Sequence, residues 1–277
     1  MRLRGVRGSQ NVEDRRAQRG GGGGTRIGGV GLLMVLAIGY FAGVDVTPLL
    51  QGGMDTGAPR QISAEEERAA EFSSRVLATT EEVWTQVFSQ QVGRAYEPPV
   101  MVLYSGLTQS PCGGASGATG PFYCPADEKA YLDTDFFATL SQQLGARGDF
   151  AAAYVIAHEV AHHVQNELGI LPQVNQRRQA VGEADANALT VRLELQADCL
   201  SGVWARAVGG VLEPGDLEEA LDAAKMVGDD HLQKRAGRVP QPHTFTHGTS
   251  EQRARWFRNG YETGNIRSCD AFGAKKL

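Results

Sequence analysis

Hydrophobic residues fall along this chain in three successive patterns: one unbroken apolar run near the N-terminus, short runs bounded by Pro and Gly around residues 100–132, and long stretches at helical spacing. The helical stretches dominate. Ser63-Ala-Glu-Glu66 reads as a capping box, in which the Ser and the Glu three residues on satisfy each other's backbone N–H groups; it opens a helix predicted to reach Gly93 with a break near Thr79-Thr80. From Phe150 to Val164 apolar residues continue through several turns, with Asp149 placed to cap the helix and Gly169 to stop it. Leu193, Ala197, Leu200, Val203, Trp204 and Val208 repeat at the period of another helix, and residues 134–144, 216–228 and 250–259 read as shorter ones. Val100 to Tyr104, entered through Pro98-Pro99, reads as a strand, and Phe122–Cys124 with Lys129–Leu132 reads as a hairpin around Pro125-Ala-Asp-Glu128. Together these predict an α+β fold, a mainly helical domain with a small β-sheet over residues 63–277.

The N-terminal run is of another kind. Ile27 to Val44 is 18 residues without a charge, just long enough to cross a bilayer as a helix. Seven arginines against Glu13 and Asp14 give residues 1–26 a net charge of +5 and leave −10 for the remainder. Arginines flanking a spanning segment stay on its cytoplasmic side. That predicts a basic cytoplasmic tail over 1–26, one transmembrane helix over 27–44, a Gly- and Pro-containing linker over 45–62, and a domain lying in the periplasm or outside the cell. A cleaved signal peptide is the competing reading, against which stand a long charged leader and the lack of a small-x-small site before Asp45. The acidic body argues against nucleic acid as a partner, because a phosphate-binding face needs concentrated positive charge.

Four cysteines fit an exported domain. Of the three ways to pair them, Cys112–Cys124 closes a local Gly/Ser/Ala loop and Cys199–Cys269 pins a helix to the C-terminal tail, so these are the expected disulfides. No Cys-x-x-Cys spacing suggests a thiolate zinc site instead.

The chemistry concentrates in His158-Glu159-Val160-Ala161-His162. Four residues on an α-helix advance about 400°, so both imidazoles lie on one face and can reach one metal ion, while Glu159 sits about 100° round, beside the metal and not under it. A carboxylate there can take a proton from a water that zinc has acidified. A catalytic zinc needs a third protein ligand and an open position. Glu194 is the candidate, with Asp198 four residues on placed to accept the Nδ1 proton of a ligating histidine; Glu183 and Asp185 compete for the ligand role. His163 points about 100° away from His162 and reads as a packing or surface residue. His247 precedes a helix capped by Thr249 or Ser250.

HEVAHHVQ followed by RLELQADCLSGVWA resembles the bacterial neutral zinc metallopeptidase family, of the gluzincin class. The likeness continues through CGGASGATGPFYCPADEKAYLDTDFF and FTHGTSEQRARWF, so it covers roughly residues 63–270. It implies Zn²⁺ as cofactor, a protein or peptide as substrate, Glu194 as third metal ligand and Asp198 as its orienting neighbour. Related zinc proteases also place a late histidine against the developing oxyanion, a role for which His247 is the candidate against a purely structural one. An edge strand beside the motif helix, one of the hairpin strands, would hold extended substrate by β-augmentation. The reading is then a membrane-anchored zinc endopeptidase in which His158, His162 and Glu194 hold zinc and Glu159 is the general base. The rival is a non-catalytic envelope protein that uses zinc and disulfides structurally and binds a partner. Intramembrane proteolysis is disfavoured by Asp149, Glu159, His163 and Glu167 on the motif helix.

Overall fold

The computed structural model describes residues 1–18, 61–116, 120–137, 140 and 148–277. Its strands are β1 (Val12–Asp14), β2 (Val100–Tyr104), β3 (Leu107–Ser110), β4 (Gly113–Ser116), β5 (Phe122–Cys124) and β6 (Lys129–Asp133). Its helices are α1 (Ala64–Val87), α2 (Asp149–Glu167), α3 (Ile170–Arg178), α4 (Glu183–Ala207), α5 (Asp216–Met226), α6 (Asp229–Arg235) and α7 (Ser250–Thr263). The architecture is α+β and mainly helical, as the hydrophobic spacing predicts.

The capping box at Ser63 forms: the Glu66 N–H donates to Ser63 Oγ at 3.2 Å and the Ser63 N–H to Glu66 Oε2 at 2.8 Å. The break expected at Thr79-Thr80 does not occur. Both threonines are buried and their hydroxyls donate to Val76 O and Leu77 O, so their polar groups are satisfied by the helix's own preceding turn. A wider turn over Phe88–Val92 then carries the chain to Gly93, whose φ of 84° ends it. At the motif helix Gly148, with φ 99°, occupies the cap position, so Asp149 lies in the first turn and not at the cap. Thr249 caps α7 through a second capping box with Gln252. The helix expected over 134–144 falls largely outside the described residues.

One sheet has the order β1-β2-β6-β5, parallel across β1/β2/β6 and antiparallel at β6/β5, which leaves β5 at an edge; β3 and β4 form a separate hairpin. α2 packs against this sheet through β5 and β6, and against α4 and α5 on its other sides. Phe150 on α2 stacks on Trp204 of α4 at 5.6 Å between ring centroids, and Tyr154 meets Phe257 of α7 edge-on at 5.4 Å. α4 and α7 approach closely because glycines face backbone at the crossing. A Cβ on Gly202 would lie 2.0 Å from Phe257 O, and one on Gly260 1.8 Å from Cys199 O. The two expected disulfides are present, Cys112–Cys124 and Cys199–Cys269.

Residues 1–18 are part of the domain. Val12, Glu13 and Asp14 pair with Met101, Val102 and Leu103, Met1 and Leu3 are buried in the main core, and Arg16 is 3% exposed with Nη1 donating to Glu66 O at 2.8 Å. Ser9, Asn11 and Arg7 all donate to the carboxylate of Glu81. The segment expected as a cytoplasmic tail thus supplies an edge strand of the domain's sheet. Among the described residues no helix is long and apolar enough to cross a membrane; the expected transmembrane segment 27–44 and most of the 45–62 linker lie outside them.

Candidate metal centre

α2 is a helix of alanine, valine and aromatic residues sunk in the core, with Phe150, Ala151, Ala153, Val160, Ala161 and Val164 buried. That anchoring presents His158 and His162 one turn apart towards α4, where Glu194 stands. His158 Nε2 lies 3.0 Å from Glu194 Oε2 and His162 Nε2 3.4 Å from Glu194 Oε1. The three donor atoms fall within 4.8 Å of one another. Glu183 and Asp185, the competing acids, are exposed in the first turn of α4, away from this cluster.

Each imidazole is held from behind. His158 Nδ1 lies 3.0 Å from Asp198 Oδ1, and Asp198 is fully buried. The buried guanidinium of Arg253 clasps the same carboxylate, Nε to Oδ2 at 2.8 Å and Nη2 to Oδ1 at 2.9 Å, and the Tyr154 hydroxyl donates to Oδ1 at 2.5 Å. His162 Nδ1 lies 2.9 Å from Gln165 Oε1; the Gln165 amide donates to Leu193 O and Gln196 Oε1, and Gln196 donates to Cys269 O. A polar chain therefore runs from His162 to the disulfide-bonded tail. Both Nδ1 atoms face acceptors, so both Nε2 atoms are left to bind a cation, the tautomers a zinc site requires.

The electrostatics ask for that cation. Burial works against a charged imidazole at His158, yet hydrogen bonds to Asp198 and Glu194 outweigh it and raise its pKa to about 10. Burial pushes Glu194 up, but His162 and His158 hold it well below the usual carboxylate range; for Asp198 Arg253 and His158 do the same. Two carboxylates converging on one imidazole in a desolvated pocket favour positive charge there, and two nitrogens with one carboxylate suit zinc.

Glu159 is half-buried beside the cluster and makes no hydrogen bond or ion pair within the described residues. A cleft of about 560 Å³ opens over it, lined by both histidines, Glu159, Glu194 and His247, with β5 in its wall. His247 is 47% exposed, its Nδ1 3.3 Å from Asp229 Oδ1, while Asp229 Oδ2 accepts the N–H groups of Thr246, His247 and Gly248 and so fixes the loop. His163 is a buried packing residue: its Nε2 donates to Glu97 O at 2.7 Å and its Nδ1 accepts from the Tyr123 hydroxyl at 3.1 Å, tying α2 to the edge strand. Burial pushes its pKa down.

Arg253, Tyr154, Gln165 and Asp229 are not singled out as site residues by sequence spacing. Arg253 carried a signal, standing on a helical stripe with Trp256, Phe257 and Gly260 that is otherwise without charge. A charge on such a stripe needs an internal partner.

A helix-borne His-Glu-x-x-His with a carboxylate from a second helix defines the class as zinc metallopeptidase-like. The chain belongs to the family described as "Putative neutral zinc metallopeptidase", whose family model matches residues 1–272. It is 49% identical over 286 residues to the "Uncharacterized protein YpfJ" of Escherichia coli (strain K12), covering 99% of each chain. It is also 44% identical over 219 residues to the "Uncharacterized protein Mb2605" of Mycobacterium bovis, covering 73% of this chain and 71% of the other. No solved structure matches it. The family implies Zn²⁺ as cofactor.

Proposed function

We propose that the protein is a zinc-dependent endopeptidase, with His158, His162 and Glu194 holding the metal. The observation that carries this is the Glu159 carboxylate, without a partner among the described residues and open to the cleft beside a set of three donors. A purely structural zinc site closes with a fourth protein ligand and has no use for such a group, which weighs against a non-catalytic envelope protein. Zinc, when bound, supplies Lewis acidity to the scissile carbonyl and acidifies the attacking water. Glu159 takes the proton from that water and returns it to the leaving amine. His247, oriented by Asp229, donates to the carbonyl oxygen as negative charge develops on it. β5, at the sheet edge and tied to α2 through Tyr123 and His163, carries extended substrate backbone by main-chain pairing.

The disulfides support a domain outside the cytoplasm, in the periplasm or beyond. We propose attachment to the membrane through residues 27–44, with the β1 arm on the same side as the domain. Proteolysis is tested by incubating the zinc-loaded chain with a proteome-derived peptide library. Cleavage should vanish with a chelator and return with zinc, and hydrolysis that survives chelation would contradict the assignment.

A further inference from the structure

We propose that Arg178 forms a carboxylate-binding subsite in the cleft, so that the enzyme selects peptides carrying a carboxylate near the scissile bond. This rests on the proteolytic reading above and specifies its substrate class. Leu171, Asn175 and Arg178 stand at i, i+4 and i+7 on α3, which is one face of a helix, and all three line the cleft. The placement is built in: Leu171 and Val174 pack with Leu193 of α4, next to Glu194, and fix α3 against the metal-bearing helix.

Of the other charges lining the cleft, the general base Glu159 is likewise without a partner among the described residues, and the rest are committed. Glu194 faces the two histidines, and Arg253 is locked to Asp198. Arg178 is the exception among the cleft's cations. Its Nη1 donates to Asn175 Oδ1 at 3.2 Å, its Nε is buried without a partner, and it makes no ion pair within the described residues. Keeping a guanidinium partly desolvated without a counter-ion is unfavourable, and a substrate carboxylate reaching its remaining donors would form a charge-assisted hydrogen bond. Asn175 steadies the fork, and Leu171 and Leu193, packed together in the same cleft lining, offer an apolar wall for a short aliphatic stem, the shape of a glutamate side chain or of a chain end. General attraction does not explain such a preference, since the molecule as a whole is acidic at −5.

The test uses the zinc-loaded full chain and short peptides with Glu, Gln or Lys at each position in turn, each with a free or an amidated C-terminus. Glu should exceed Gln at one position by about tenfold or more in kcat/KM, and Arg178→Gln should equalise the two with zinc content unchanged. Arg178→Glu should turn the preference to Lys. An effect that follows the free C-terminus and not an internal Glu identifies the chain end as the carboxylate. Affinity of the same peptides for Glu159→Gln separates the two claims. A carboxylate preference in binding without turnover by the unmodified chain keeps the subsite and rejects proteolysis; turnover blind to the carboxylate, or a preference that survives Arg178→Gln, overturns the subsite alone.

Discussion

Asp198 is held by three groups at once, His158, Tyr154 and Arg253, and the last of these sets its charge. Removing Arg253 leaves a carboxylate fully buried and half-compensated, a change that costs about 3–5 kcal/mol in comparable pairs. Arg253→Gln should therefore lower unfolding stability by about 3 kcal/mol and weaken zinc binding by about 10- to 100-fold, since the carboxylate that orients the His158 ring is then no longer clamped in place. Adding Asp198→Asn should restore part of the stability, because the stranded charge disappears; chemical unfolding and chelator competition measure both. A double variant as unstable as the sum of the singles would show the two residues to be uncoupled. Much of this residue-scale picture was legible beforehand. His158, His162, Glu194 and Asp198 follow helical spacing, and spacing survives translation into structure. The partners of Asp229 and Arg253 were not, because they come from other elements and only packing brings them together, and Gln165, though one turn from His162, is fixed in place by Leu193 and Gln196 of another helix.

The elements themselves were read best where the apolar period is long. α1, α2, α4, α5, α7 and the β2, β5 and β6 strands fall where the hydrophobic pattern put them, whereas α3 and α6 are short polar helices and β1 sits in a segment taken for a tail. The crossing of α4 and α7 depends on two glycines, and it brings Arg253 within reach of Asp198. Gly260→Ala places a Cβ against Cys199 backbone, where no side-chain rearrangement relieves the clash. We expect about 1–3 kcal/mol of destabilisation with a loss of zinc affinity, whereas alanine at Gly182, where nothing lies within 4 Å of a new Cβ, should leave zinc affinity unchanged. Thermal unfolding and chelator titration of both variants decide it, and unaltered metal binding in Gly260→Ala would separate the crossing from the site.

For the whole molecule the N-terminal arm matters most. Glu13 Oε2 lies 2.7 Å from Lys129 Nζ, across the sheet from β1 to β6. Hydrogen bonds from Arg15 and Lys129 lower the Glu13 pKa from the usual 4.5 to about 2. A depressed folded-state pKa adds stability that is fully present above the unfolded value and is lost as pH falls, here from about 4.5 towards 2; the group is 40% exposed, so the contribution is small. Carbodiimide treatment of intact membranes near neutral pH should join Glu13 to Lys129, detected as a cross-linked peptide. Cross-links elsewhere without this one would show that the arm lies apart from the domain in the native setting. The central claim concerns chemistry, and a one-atom change tests it most directly. Glu159→Gln keeps the size of the side chain and removes its ability to accept a proton, so zinc content and unfolding stability should match the unmodified chain while turnover of a cleaved peptide falls by about two orders of magnitude or more. Turnover equal to that of the unmodified chain, with zinc retained, would contradict the account.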